Sequence, residues 1–370
     1  MRLILFGFIF LNTLSVFGYP EMIRHGYTSC TACHVSPAGN GIATPYGRSI
    51  SKELLSRWSY EGEEQQFHGA IENEEVRSWI DGTRERGFNI GGNFRYIQTR
   101  LETNNFEQRR SFAMQRDLEL AAKWDQFTLV TSYGFIYRPN ANDDLDLRRI
   151  YGLWNISEEL SLRVGRFLPT FGIMTNDHYL SVKQRLQFGQ LTERNVVELN
   201  YIAEDWSAYL NYSESPDSKT ILNQEKAASV GFNYSITPTS RLGVNYWYGD
   251  QFDRRRDVTG FNALVGFSKS VYSLTELDHQ VTQVNLGAET KSRFFYQRLG
   301  YEFVRGLHAL VQLDAAQTNL SDERTKYYAF GTGLTFYPRP HFELQLLWSR
   351  PKFKAQEFSD SAFLIFHYYL

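Results

Sequence analysis

From about residue 87 to the C-terminus, side chains alternate between apolar and polar with a period of two, and this excludes most folds before any motif is considered. In residues 341–349, Phe342, Leu344, Leu346 and Trp348 share one face while His341, Glu343, Gln345 and Ser349 share the other. Residues 241–248 oppose Leu242, Val244, Tyr246 and Tyr248 to Arg241, Gly243 and Asn245, and residues 195–203 oppose Val197, Leu199, Tyr201 and Ala203 to Glu198 and Asn200. Such segments are strands with one dry face. Sixteen can be placed, the first near 87–102, the second near 112–124 and the last near 359–370. Their connections alternate in length: 125–126, 157–159, 205, 237–239, 269–270, 306 and 338–340 are tight, and those between them are mostly longer and polar.

The dry faces are rich in aromatic side chains, in a chain of 370 residues with 23 Tyr and 28 Phe. A soluble β-sandwich or lipocalin-like barrel would need a second layer to cover them, and no segment supplies one. The expected fold is therefore all-β: an antiparallel transmembrane barrel of about sixteen strands over 87–370, with lipid against alternate side chains and both ends of the barrel on the short-turn side. Residues 362–370 suit the barrel-closing strand, although the chain ends in Leu370 rather than an aromatic residue. The 39 basic and 41 acidic residues nearly cancel, which argues against a nucleic-acid partner.

The first eighty residues follow other rules. Residues 1–18 place Arg2 before an apolar run over 3–17, with Val16 and Gly18 small enough for a cleavage site, so they read as a secretory signal. A retained anchor is the other reading, but the run is short for a span and Asn12 breaks it. Next comes Cys30-Thr31-Ala32-Cys33-His34, which contains both cysteines of the chain. Two thiols three positions apart can each add to one vinyl group of a haem, with the adjacent histidine as proximal iron ligand. A thioredoxin-like redox pair would sit in a βαβ unit, and a zinc knuckle would need further ligands nearby; neither is present. Export and a c-type haem agree, because that attachment takes place outside the bacterial cytoplasm.

Residues 19–80 are too few to bury a haem alone, so the expectation is that they use the barrel as their other wall, plugging its lumen or its periplasmic mouth, with a free periplasmic cap as the alternative. Gly39, Asn40 and Gly41 mark a turn after Ser36-Pro37, residues 49–58 form an amphipathic helix candidate, and 59–80 read as a charged linker or second helix. Arg24 and Arg48 suit haem propionates, or else a lumen or surface salt bridge. The sixth iron position has six candidates: Met22, His25, His68, Met114, Met174 and His178. The longest connection, 168–194, carries Met174 and His178 and is expected to fold inward toward a plug. Arg163, Arg166 and Glu198 read as lumen or rim charges.

Arg24, Gly26, the Cys30-x-x-Cys33-His34 motif and Thr44-Pro45-x-Gly47-Arg48 together resemble the N-terminal signature of fused monohaem cytochrome–porins of bacterial outer membranes. The resemblance covers residues 20–58; beyond them only the architecture agrees. It implies one covalent c-type haem, an outer-membrane location and electron exchange with a periplasmic c-type cytochrome or similar carrier. Some members are regarded as iron(II) oxidases, which would make the external donor ferrous iron, whereas the Ser36–Gly41 stretch suggests a separate subgroup. Two other functions compete with an electron conduit: a porin or transport barrel whose haem peptide is only a plug, and a haem-based ligand sensor. No catalytic triad, paired-carboxylate site or phosphate loop stands out.

Overall fold

The computed structural model describes residues 19–60 and 87–370, apart from 32, 40, 104–105, 137–143, 176, 178, 190–191, 217–224, 285–286, 288 and 355–357 and the side chains of Ile136, Asp144 and Leu145. The signal segment, most of the 59–80 linker, His68 and His178 thus lie outside the described residues. Sixteen strands form a closed antiparallel barrel in which each pairs with its neighbours in sequence and the last returns to the first. They are β1 (Phe88–Thr103), β2 (Phe106–Trp124), β3 (Phe127–Ile136), β4 (Asp144–Asn155), β5 (Leu160–Phe167), β6 (Arg194–Ile202), β7 (Trp206–Glu214) and β8 (Lys226–Thr237). The second half comprises β9 (Ser240–Gln251), β10 (Arg254–Gly266), β11 (Val271–Val284), β12 (Thr290–Val304), β13 (Leu307–Gln317), β14 (Lys326–Phe336), β15 (Phe342–Phe353) and β16 (Asp360–Tyr369). Closure runs from Asn93 opposite Tyr369 to Glu102 opposite Asp360, so no strand edge is left for lipid to solvate.

The alternation places its apolar half outside. Val197, Leu199 and Tyr201 are exposed on β6, whereas Glu198 and Asn200 between them are buried in the lumen. Near the tight turns the outer face carries aromatic pairs, among them Trp124 on Phe127 and Tyr201 on Trp206, the latter with ring centroids 4.7 Å apart. Tyr246, Tyr328, Phe330 and Phe353 stand exposed toward the other end. A polar interior, an apolar exterior and aromatic residues at both rims are what a bilayer selects in a β-barrel.

Strand β2 begins six residues before its expected start at 112. Phe106–Phe112 pair with Thr103–Ile97 in unbroken register, and the exposed edge is laced by Arg100 and Arg109 on Glu107, at 2.9 and 2.8 Å. This stretch carries charges on both faces because it rises beyond the apolar band, so the alternation that marks the other strands is missing from it.

Residues 19–58 lie inside the barrel at its short-turn end. A 3₁₀ turn over Pro20–His25 brings Met22, Ile23 and Arg24 to 1 % exposure each. Helix α1 (Pro45–Ile50) starts at Thr44, whose hydroxyl accepts the Gly47 N–H, with Pro45 at the first helical position. It widens into a π-type turn over Ser51–Leu55. The helix therefore begins four residues earlier than the 49–58 expectation and ends before Trp58. Trp58 is exposed and packs edge-on against Phe336 at the rim. Hydrogen bonds from Arg57 N–H to the Tyr337 carbonyl and from Trp58 N–H to the Pro338 carbonyl fix this exit at the β14–β15 turn.

The connection from 168 to 193 descends from the opposite end. Phe171, Ile173, Leu180, Val182 and Leu186 are each at most 1 % exposed and pack on Trp247, Leu264, Leu274, Phe294 and Tyr296 of the inner wall. A short helix α2 (Ser181–Gln184) is pinned by Lys183 on Glu276 at 2.9 Å and by Ser181 on Asp314. Arg163 joins the two inserts, donating to Ser36 Oγ at 2.7 Å and to Thr170 Oγ1 at 3.5 Å while paired with Glu198.

Candidate functional site

The pentapeptide is shaped by backbone contacts that explain its flanking residues. His34 forms an antiparallel bridge with Ala43, and the Val35 N–H reaches the Ile42 carbonyl. The turn between them closes through Gly39 N–H on the Ser36 carbonyl, with Gly39 and Gly41 both at positive φ. A Cβ at Gly39 would stand 3.0 Å from Cys30 Sγ. The Thr44 N–H donates to the Cys33 carbonyl at 2.8 Å, and a Cβ at Gly47 would fall 2.3 Å from that same oxygen. Thr44-Pro45-x-Gly47 is thus the surface on which the second cysteine rests. Gly47→Ala is expected to push Cys33 off α1 and to lower covalent haem content several-fold, as read from the haem absorbance of the purified protein against total protein.

His34 Nδ1 lies 3.2 Å from the Gly41 carbonyl oxygen. A carbonyl can only accept, so Nδ1 carries the proton and the lone pair sits on Nε2. Iron-ligating histidines use such a second hydrogen bond to set tautomer and ring orientation.

Two cavities flank the motif. The larger, about 1580 Å³, is lined by Cys33 and His34 together with Met22, Met114, Met174 and a wall that includes Arg95, Arg298, His308 and His367. The smaller, about 860 Å³, is lined by Cys30, Gly39, Thr170, Ile173, Met174 and Arg241. Two thiols without a disulfide, the adjacent imidazole and the chambers that they line are the donor types and the space that a c-type haem would use. Burial pushes the Cys30 thiol up, and burial with Cys30 alongside pushes Cys33 up to about 12. Redox-active pairs are commonly tuned the opposite way. Among the described residues no group of three or more His, Cys, Asp or Glu could hold a metal ion directly.

Of the two readings for Arg24 and Arg48, haem propionates or a salt bridge, Arg24 shows a lumen salt bridge. Arg24 pairs with Glu302 of β12 at 2.8 Å, donates to His25 Nε2 at 3.1 Å and lies over the Tyr272 ring. Arg48 donates to the Ile90 carbonyl of β1 at 2.7 Å. Neither lines either of these two chambers, and at 1 % and 2 % exposure each must be matched by the wall that buries it. They anchor the insert to the barrel; Arg95, Arg298 and Arg241 are the guanidinium groups that line the chambers. His25 is likewise drawn away from the chambers by Arg24. Met22 is packed in a small core with Cys33, Ile50, Leu55 and Tyr337.

His308 and His367 are chamber residues that the sequence reading did not single out. Both sit at lumen-facing positions of their strands, so period-two alternation alone would have found them. His367 is held between Glu343 and Asn93, at 2.7 and 3.2 Å, and His308 stands 3.6 Å from Glu302.

No family model and no curated protein matches the chain. Solved outer-membrane proteins do match in fold. Pseudomonas putida OprB superposes with a TM-score of 0.62 at 8 % identity, over 86 % of this chain and 99 % of that one. Salmonella typhi OmpF in complex with daunomycin gives 0.59 at 11 % identity, over 77 % and 99 %. The anion-selective porin from Comamonas acidovorans gives 0.57 at 10 % identity, over 76 % and 99 %. The fold is therefore a sixteen-stranded porin-like barrel.

Proposed function

We propose that this protein is an outer-membrane electron conduit, a porin-type barrel closed by an N-terminal plug that carries one c-type haem on Cys30 and Cys33, with His34 as proximal ligand. The observation that supports the reading most is the placement of Cys30, Cys33 and His34 against two chambers of the lumen, on a hairpin whose Gly39 and Gly47 make room for Cys30 and for the Cys33 carbonyl. The porin-like fold supports the outer membrane as location, with the tight turns and the plug toward the periplasm. Bound there, a haem would supply one-electron exchange. The chain's own work is to hold the group between plug and wall, to exclude water with Met22, Ile50, Leu55 and Tyr337 behind Cys33, and to offset propionate charge with Arg95, Arg298 or Arg241. A periplasmic c-type cytochrome is the expected partner on the turn side, and ferrous iron is one candidate donor outside.

A second reading, a transport barrel whose haem peptide is only a plug, is the one that the likeness to solved porins supports better, since that likeness carries no electron-transfer chemistry. The two inserts joined by Arg163 weigh against free diffusion through the lumen. Adding a membrane-impermeant reductant such as chelated ferrous iron to intact cells separates the two. The conduit reading expects the α- and β-bands of reduced c-type haem to strengthen within seconds. Bands that respond only after the outer membrane is permeabilised would favour the plug-only barrel.

A further inference from the structure

We infer that the lipid-facing side of β14, β15 and β16, at the end away from the tight turns, docks the phosphate headgroup of an outer-leaflet lipid on Arg350 and Lys352, with its acyl chains on the apolar column beneath them. The inference goes beyond the haem reading and takes from it only the orientation, tight turns toward the periplasm, which puts these strand ends at the outer headgroup level. Alternation fixes which side chains point to lipid. On β15, Leu346 and Trp348 are exposed, and the same face continues through Arg350 and Lys352 toward the outer end. Leu346 stands opposite Leu334 of β14 and Leu364 of β16, both also exposed, so the column beneath the two cations is apolar across three strands. Phe330 and Tyr328 of β14 lie opposite Arg350 and Lys352 and widen it at the level of the cations.

The two cations converge on one ring. Phe358, exposed just before β16, has Lys352 Nζ 4.6 Å and the Arg350 guanidinium carbon 5.2 Å from its centroid. A ring face draws cations together but cancels none of their charge. Arg350 also meets Asp360 at 3.2 Å, whereas Lys352 has no carboxylate within ion-pair distance among the described residues. Beside them, Lys326 and Lys354 share the single carboxylate of Glu323. Among the described residues the patch thus sets four cations against two carboxylates. Rim cations elsewhere are matched, as Arg255 is by Asp257 and Lys291 by Glu289.

The chemistry of the occupant follows from both halves of the patch. A phosphate has oxygens enough to accept from a guanidinium and an ammonium at once, and it supplies the negative charge that the patch lacks. The column below lies against acyl chains in a bilayer, so the anion that reaches the two cations is the headgroup of a lipid already in contact with it, rather than one arriving from solution. A lysine alone at a rim snorkels into water. Here the Phe358 ring holds the ammonium beside the guanidinium instead.

The test titrates the full-length protein in non-ionic detergent with lipid A, a phosphorylated lipid of bacterial outer leaflets, and reads the lipid-bound fraction by native mass spectrometry. Barrel folding of each variant is checked by heat-modifiable gel migration. K352A is expected to weaken binding about tenfold, the effect of one lost charge-assisted contact, and R350A/K352A to weaken it further. K291A, at an ion-paired lysine of β12, should bind like the wild type. Lipid A stripped of its phosphates should bind the wild type poorly. Binding that survives R350A/K352A, or that does not need the phosphates, overturns the inference. Displacement of lipid A by millimolar inorganic phosphate also overturns it, because the site would then take a free anion. Failure of the orientation looks different: an epitope inserted at the exposed Ser321, between β13 and β14, should be reached by antibody on intact cells. If it is reached only after permeabilisation, the patch faces the periplasm and the inference falls whatever binds in detergent.

Discussion

A Cys30→Ala/Cys33→Ala variant is expected to lose its covalent haem completely while the barrel still forms. The chain has no other cysteine, so no second thioether site can substitute. The cost to the fold is modest, because neither thiol takes part in the strand ladder that closes β1 on β16. Cys33 packs with Met22, Ile50, Leu55 and Tyr337, and trimming one sulfur there should cost about 1 kcal/mol of plug packing. Two gels read the result: haem-linked peroxidase stain should fall to background, and the unheated protein should still migrate as a compact barrel. Stain that persists would mean that the pentapeptide is not the attachment site. Barrel migration that disappears would mean that the cofactor is needed for assembly.

Each part of this architecture was as legible as the forces behind it are local. Strand identity is local: a residue such as Val197 shows lipid-facing character in its own side chain, and Glu198 beside it shows the lumen. That is why sixteen strands could be placed from alternation, while the charged start of β2 beyond the bilayer could not. The Cys30–His34 pentapeptide stands out in the sequence because thioether attachment would need that spacing, and whether haem is attached there is what the two gels read. The partners of Arg24 and Arg48 do not stand out, because a guanidinium suits a propionate, a carboxylate and a carbonyl alike, and Arg24 meets Glu302 across 278 positions. His308 and His367 stand at lumen-facing positions that alternation marks; what is not local is the chamber that they share once the barrel closes. Thr44-Pro45-x-Gly47 stands between these cases: its cap and proline mark a helix start, but that Gly47 makes room for the Cys33 carbonyl follows only from the folded hairpin.

The same long-range pairing sets how firmly the plug is seated, and Arg24→Ala is expected to unseat it. The Arg24 side chain is fully buried and 2.8 Å from Glu302, whose own side chain is 10 % exposed. Removing the guanidinium leaves that carboxylate with the Gly306 N–H at 2.9 Å and His308 at 3.6 Å as its remaining polar neighbours. An uncompensated buried charge costs about 3–5 kcal/mol, which corresponds to two to four orders of magnitude in an equilibrium constant. The loss falls on the contact between plug and wall rather than on the barrel, because the ladder hydrogen bonds of β12 with β11 and β13 do not involve the side chain. In planar bilayers the variant should open frequently to a porin-sized conductance that the wild type rarely shows. An apolar pair such as R24M/E302L should restore closure, since the penalty comes from the orphaned charge and not from lost volume. If R24A conducts like the wild type, the seat is carried by the other anchors: Arg48 on Ile90, Arg241 on the Thr28 carbonyl, and Arg57 and Trp58 at the β14–β15 turn.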